Sequence, residues 1–161
     1  MNDVDARDNA PTTVFRGARI IVGDGRTVHD RADLVVTGSI IADIREVGDH
    51  CGRTVPDAVT VDCTGLTIMP AIISPHGHIG YMRGTSSDAE SFSRENILDH
   101  LRRLAYHGIS TFQSLGTDRN GLELAVRDEQ RSDPAARSRL ATLLSAGSGL
   151  VAPTPGSVNG G

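Results

Sequence analysis

The chain has 161 residues with a net charge of −4, 38% apolar and only 3% aromatic residues. Acidic and basic residues are interspersed, which excludes a basic face for nucleic acid or anionic lipid. No apolar run approaches the ~20 residues of a membrane span.

Without Trp, a core must be built from Val, Ile, Leu and Ala, and 18 glycines imply many turns. That balance suits an α/β chain of one ordinary domain or two small pieces. Cys51 and Cys63 lie outside any zinc-site spacing and read as reduced thiols. The polar, acidic N-terminus is neither a signal peptide nor a basic transit peptide, so a soluble, cytoplasmic protein is expected.

Residues 1–12 carry little to bury and read as a disordered lead-in. Residues 14–22 are β-branched and read as a strand. Gly23-Asp24-Gly25 is a turn; it lacks the following helix and Lys-Ser/Thr of a phosphate cradle. Residues 33–37 and 40–47 are strands joined by Gly38-Ser39, a link that suits a tight hairpin. In the second, Ile40, Ala42 and Ile44 alternate with Ile41, Asp43 and Arg45. Residues 59–62 form a further short strand. Residues 13–65 therefore make a small antiparallel β unit.

After Gly65 the pattern changes. Residues 66–73 are almost continuously apolar, as in a strand covered on both faces. His76-Gly77-His78 follows at its end. Side chains at i and i+2 of an extended segment share a side, so both imidazoles can grip one small cation. Residues 81–92 read as a loop.

Residues 93–107 read as an amphipathic helix with Ile97, Leu98, Leu101, Leu104 and Ala105 in one stripe. Ser93 is its expected N-cap and Gly108 its C′ residue. Residues 109–115 are a strand. Asn120 and Glu123 have capping-box spacing for a second helix, with Leu122 and Val126 on its apolar side. Asp133-Pro134 breaks it. Residues 139–144 are a third strand, and residues 145–161 a Gly-rich loop. The order β–α–β–α–β predicts parallel strands joined by crossovers.

Gly65-Leu66-Thr67-Ile68-Met69-Pro70 running into His76-Gly77-His78 resembles the start of the metal-dependent amidohydrolase superfamily. The preceding strands, the 107–111 segment His-Gly-Ile-Ser-Thr and Gly147-Ser148-Gly149 continue the likeness to imidazolonepropionase-like and prolidase-like members. The resemblance implies an α/β fold: the start of a (β/α)8 TIM-type barrel, about three βα units over residues 66–161, preceded by a β-sandwich segment. It also implies His76 and His78 as ligands to a divalent metal, most simply zinc, and hydrolysis of an amide, cyclic amide or other C–N bond by water that the metal activates.

The chain departs from the family pattern in three ways. Ala71 follows the proline where the family has Gly. Ser74 stands two residues before His76 where the family has Asp. The stretch after Gly65 is far shorter than the ~250 residues of a full barrel, and the later ligands have no matching positions. An N-terminal portion, inactive alone, is expected.

Other residues are weaker candidates. Arg83, Gln113 and Ser145 lie after the histidine motif or near strand ends, where substrate contacts arise in barrels. His107 suits a helix C-terminus; His29, His50 and His100 read as surface residues. No Ser/His/Asp set is identifiable. The expected partners are a small-molecule substrate and either a homo-oligomer or a complementing chain, with no nucleic acid and no membrane. The rival reading is a non-catalytic assembly protein whose barrel a second chain completes.

Overall fold

The computed structural model describes residues 10–46, 55–137 and 139–150. Residues 1–9 of the expected lead-in, His50, Cys51 and the Gly-rich stretch beyond residue 150 lie outside the described residues. The chain divides into two compact units at Pro70/Ala71.

The first unit is one mixed sheet. Strand β1 (Thr12–Ile21) pairs antiparallel with β2 (Val28–Thr37), and β2 with β3 (Ile40–Glu46). Thr12 of the expected lead-in already opens β1, and the Pro11 carbonyl accepts the Gly38 N–H at 3.0 Å. Between Phe15 and Ala18 the register slips at Gly17, whose φ is 70°. That is a glycine-type bulge, and buried Asp33 accepts its N–H at 3.0 Å.

Two expectations for this unit fail. Strands β4 (Val59–Asp62) and β5 (Thr67–Ile68) both pair with β1 in parallel, so the unit is not purely antiparallel. The alternation expected over residues 40–45 is interrupted, because the register jumps from Val35↔Asp43 to Val36↔Ile41. The extra residue, Ala42, shifts the pleat. Ile44 packs on the core while Ile40 and Ile41 are both exposed. That core is Ala18, Ile20, Ala32, Leu34 and Cys63.

The apolar run at 66–73 is not one buried strand. Its first part, β5, completes the first sheet; the chain then leaves regular structure at Met69-Pro70-Ala71 and re-enters as β6 (Ile72–Gly77) in the second unit. Pro70 has no N–H for a ladder, so the run breaks there. Ile72 and Ile73 are 51% and 62% exposed, contrary to a strand covered on both faces.

In the second unit the residues expected to loop contain a small hairpin, β7 (Met82–Arg83) with β8 (Ser86–Ser87). Helix α1 (Arg94–Tyr106), β9 (Ile109–Gly116), α2 (Leu122–Ser132), a short 3-10 turn (Pro134–Arg137) and β10 (Thr142–Ser148) follow. The sheet order is β10-β9-β6 and all pairs are parallel, as the β–α–β–α–β order requires. One core unites Ile79, Ile97, Leu101, Phe112, Val126, Ala141 and Leu143, burying helix stripes against the sheet.

Helix α1 forms as its sequence dictates. The Ser93 hydroxyl accepts the Asn96 N–H at 3.2 Å, and Gly108 takes φ 81° beyond the C-terminus. Helix α2 does not use the expected capping box. Its N-cap is Gly121 in the left-handed region, with no side-chain cap. Glu123 is instead fully buried, and its N–H donates to Asp118 Oδ1 at 2.8 Å. Strand β10 begins three residues later than expected, after Arg139 at φ 70°, and runs on through Ser145 to Ser148.

Candidate metal-binding pair at the end of β6

His76 is in the last residues of β6 and His78 stands just beyond it; both side chains are exposed. Their ring centroids are 5.8 Å apart, with ring planes inclined by 58°. The local cause is the residue between them. Gly77 faces inward, because a Cβ there would lie 2.8 Å from Phe112 Cε2 and closer still to Cζ. Gly77 thus takes the core side, and the imidazoles on either side of it are left exposed.

Strand β6 also uses one more residue than β9 between the pairs Ser74↔Phe112 and Gly77↔Ser114. The extra residue is a bulge at Pro75-His76, a position where a proline without an N–H is tolerated. Bulges of this kind re-aim side chains at strand ends. Ser74, two residues before His76, is half-buried opposite Phe112.

Beyond His78 the backbone is tightly held. Ile79 and Gly80 are buried. Gly80 has φ 87°, and a Cβ on it would meet Ile97 Cγ1 at 2.9 Å. Its N–H donates to His100 Nδ1 at 3.1 Å, and its carbonyl accepts from Asn96 Nδ2 at 2.7 Å. The Tyr81 hydroxyl donates to the Thr117 carbonyl at 2.7 Å, tying the segment to the end of β9.

The three other candidates fall in different surroundings. Arg83 is exposed on β7 and shares with His78 a cleft of about 1200 Å³ that runs along α1. His76, Gln113 and Ser145 do not line that cleft. Gln113 alternates with buried Phe112 and Ser114 on β9, so it lies on the sheet face opposite the helices; its amide donates to the Ser114 carbonyl at 3.2 Å. Ser145 is engaged inside the fold: its hydroxyl donates to Glu123 Oε2 at 2.7 Å and accepts the Gly147 N–H at 3.0 Å.

Several residues matter more than their sequence context indicated. Glu123 accepts from Ser145 through one oxygen and from Thr117 Oγ1, at 3.3 Å, through the other, joining β9, α2 and β10. Asn96 and His100 are not solvated helix residues: Asn96 is buried and His100 half-buried. Their i, i+4 spacing beside the apolar stripe was the available signal. His29, also expected at the surface, is half-buried and paired through Nδ1 with Glu46 of β3. His107 is the C-cap of α1, as expected.

Among the described residues no group of three or more His, Cys, Asp or Glu side chains is placed to hold a metal ion. Two exposed imidazoles with ring centroids 5.8 Å apart could supply at most half of a four-coordinate zinc set. Among the same residues no helix is long and apolar enough to cross a membrane.

No protein-family model matches the chain, and no curated protein matches it in sequence. Solved structures do match. A Xaa-Pro dipeptidase with bound methionine superposes with a TM-score of 0.64 at 21% identity, over 85% of this chain and 33% of that one. Molinate hydrolase gives 0.65 at 19% identity, over 86% and 30% of the two chains. Phenylurea hydrolase B gives a TM-score of 0.65 at 19% identity, over 85% of this chain and 30% of that one. The chain shares its fold with a part of each of these hydrolases. The chain thus spans about a third of the length of the solved structures it matches.

Proposed function

We propose that these residues are the N-terminal part of a metal-dependent hydrolase that cleaves a C–N bond in a small-molecule amide, cyclic amide or urea. The observation that carries this reading is the His76/His78 pair. Both rings are exposed, their centroids are 5.8 Å apart, and they stand at the C-terminal end of the first strand of a parallel βαβαβ unit. The end of a strand in such a unit is where barrel enzymes place their chemistry. The names of the matching structures point to the same bond class: a Xaa-Pro dipeptidase and a phenylurea hydrolase.

His76 and His78 would hold a divalent ion, most simply zinc, through neutral imidazole nitrogens. When bound, such an ion supplies Lewis acidity, lowering the pKa of water to ~7 and polarising a carbonyl. The protein's own part is placement. Gly77, wedged against Phe112, sets the direction of both rings. The Gln113 amide, on the face opposite the helices, and the Arg83 guanidinium, beside His78 in the cleft, are available to orient polar groups of a substrate.

The test is a zinc titration of the chain followed by the ring signals of its histidines. His76 and His78 should shift together, and either His76→Ala or His78→Ala should abolish saturable binding. Binding that survives both substitutions would end this reading. Alone, the 161 residues should show little hydrolysis, because two imidazoles supply half of the ligand set; robust, chelator-sensitive turnover by the isolated chain would refute that.

A second reading rests on the outer edge of β6. That strand pairs only with β9 among the described residues, and Ile72 and Ile73 on it are exposed. A separate chain carrying the rest of the fold would add strands there. Co-expression with such a fragment should yield a stable complex; a stable monomer that ignores it would exclude this reading.

A further inference from the structure

We propose that His100, acting with Asn96, is the positioning residue that fixes the backbone leaving the His76-Gly77-His78 motif; this rests on reading that motif as a metal pair. Both polar groups of Gly80 are taken by α1. Its N–H donates to His100 Nδ1 at 3.1 Å, and its carbonyl accepts from Asn96 Nδ2 at 2.7 Å. The two side chains are four residues apart and therefore stand on one helix face.

The same two side chains also take the next carbonyl but one. Met82 O accepts from His100 Nε2 at 2.8 Å, and Asn96 Nδ2, which has two hydrogens for three carbonyls, also lies 3.0 Å from Met82 O and 3.1 Å from Ser91 O, so one N–H is shared. A carbonyl can only accept, so the proton of His100 is on Nε2. A backbone N–H can only donate, so Nδ1 is bare. The imidazole is thus held as the neutral Nε2–H tautomer, with an acceptor and a donor used at once. Neither Lys nor Arg offers an acceptor, and Phe offers neither function.

The clamp acts two residues from His78. Gly80 has no lateral freedom, since Ile97 and Phe92 fill the space where a side chain would be. With Gly80 fixed on one side and Gly77 pressed on Phe112 on the other, the His78 ring has a defined origin. Orientation of this kind is what outer groups give to metal ligands.

The experiment is histidine-resolved NMR of the full 161-residue chain, with amide exchange at Gly80 and a zinc titration. In the unaltered chain His100 should carry its proton on Nε2, and the Gly80 amide should be protected. His100→Phe should deprotect that amide and weaken zinc binding by about ten- to a hundred-fold. His100→Gln, whose amide has one acceptor and one donor, should restore most of both.

An Nδ1-protonated His100 in the unaltered chain would overturn the proposal without recourse to any variant. A folded His100→Phe chain with unchanged Gly80 exchange and zinc affinity would do so equally. If the unaltered chain takes up no zinc at His76 and His78, the metal reading fails on its own, while tautomer and exchange still decide whether His100 holds the loop.

Discussion

Gly77 and Phe112 pack so closely that no side chain fits between them: a Cβ on Gly77 would intrude on the edge of the Phe112 ring. The histidine motif is therefore built around a contact from the neighbouring strand. Gly77→Ala should force the ring or the strand to shift and lower stability by about 1–3 kcal/mol, as overpacking does. It should also weaken zinc binding at His76 and His78. Urea unfolding with a parallel zinc titration reads both, and a variant unchanged in both would show that the contact is slack.

Asp24 offers a test by pH. Its carboxylate accepts from the Thr27 hydroxyl at 2.6 Å and from the N–H groups of Thr27 and Arg26 at 2.7 and 2.9 Å. The Thr27 hydroxyl is the main cause that holds its pKa at about 2, below the usual 3.8. A lowered folded-state value means the turn's stabilisation is complete above pH ~3.8 and is lost as pH falls through ~2. A carboxyl NMR titration should give that value, and Thr27→Val should move it back up. An unmoved Asp24 in the variant would disprove the assignment.

Glu123 should be costly to remove. It is fully buried and receives two hydroxyl hydrogen bonds, from Ser145 of β10 and from Thr117 just past the end of β9. Glu123→Ala should destabilise by about 3 kcal/mol, through lost charge-assisted bonds and a new cavity. Glu123→Gln keeps the volume and lets one hydroxyl reverse its role, so it should cost less. Equal losses in the two variants, measured by denaturant unfolding, would show that packing and not hydrogen bonding is at stake.

Ser74 is the fourth test. It lies on β6 two residues before His76, half-buried and opposite Phe112. If a carboxylate there supports the ligand pair, Ser74→Asp should tighten zinc binding about tenfold. Calorimetry on the two chains decides it; identical affinities would show that the position does not communicate with the histidines.

The features legible in the sequence are those set by local spacing. Helix α1 declared itself through Ser93, the Ile97/Leu101 stripe and Gly108, each acting within a few residues. The expectation that His76 and His78 share a side came from the two-residue period of extended chain. The failures are all nonlocal. Nothing within residues 59–62 states whether β4 pairs with β1 in parallel, since direction depends on the path of the intervening chain. The 66–73 run looked continuous because hydrophobicity does not record that Pro70 divides it between two sheets.

The site shows the same division. Asn120 and Glu123 had the spacing of a cap, but Glu123 is drawn inward by Ser145, a partner 22 residues away. His100 reads as a surface residue because its partners, the backbone groups of Gly80 and Met82, belong to a segment 18 to 20 residues earlier. Tertiary contact overrode local preference in each case.

The second sheet grows in chain order, β6 then β9 then β10, with one helix between each pair. Every strand therefore docks on the strand made just before it, and each crossover closes a loop of modest length. Such a sheet can assemble stepwise during synthesis, from its N-terminal strand onward. The His76-Gly77-His78 motif lies at the end of the first of these strands, so Gly77 finds its packing partner only once Phe112 has been made.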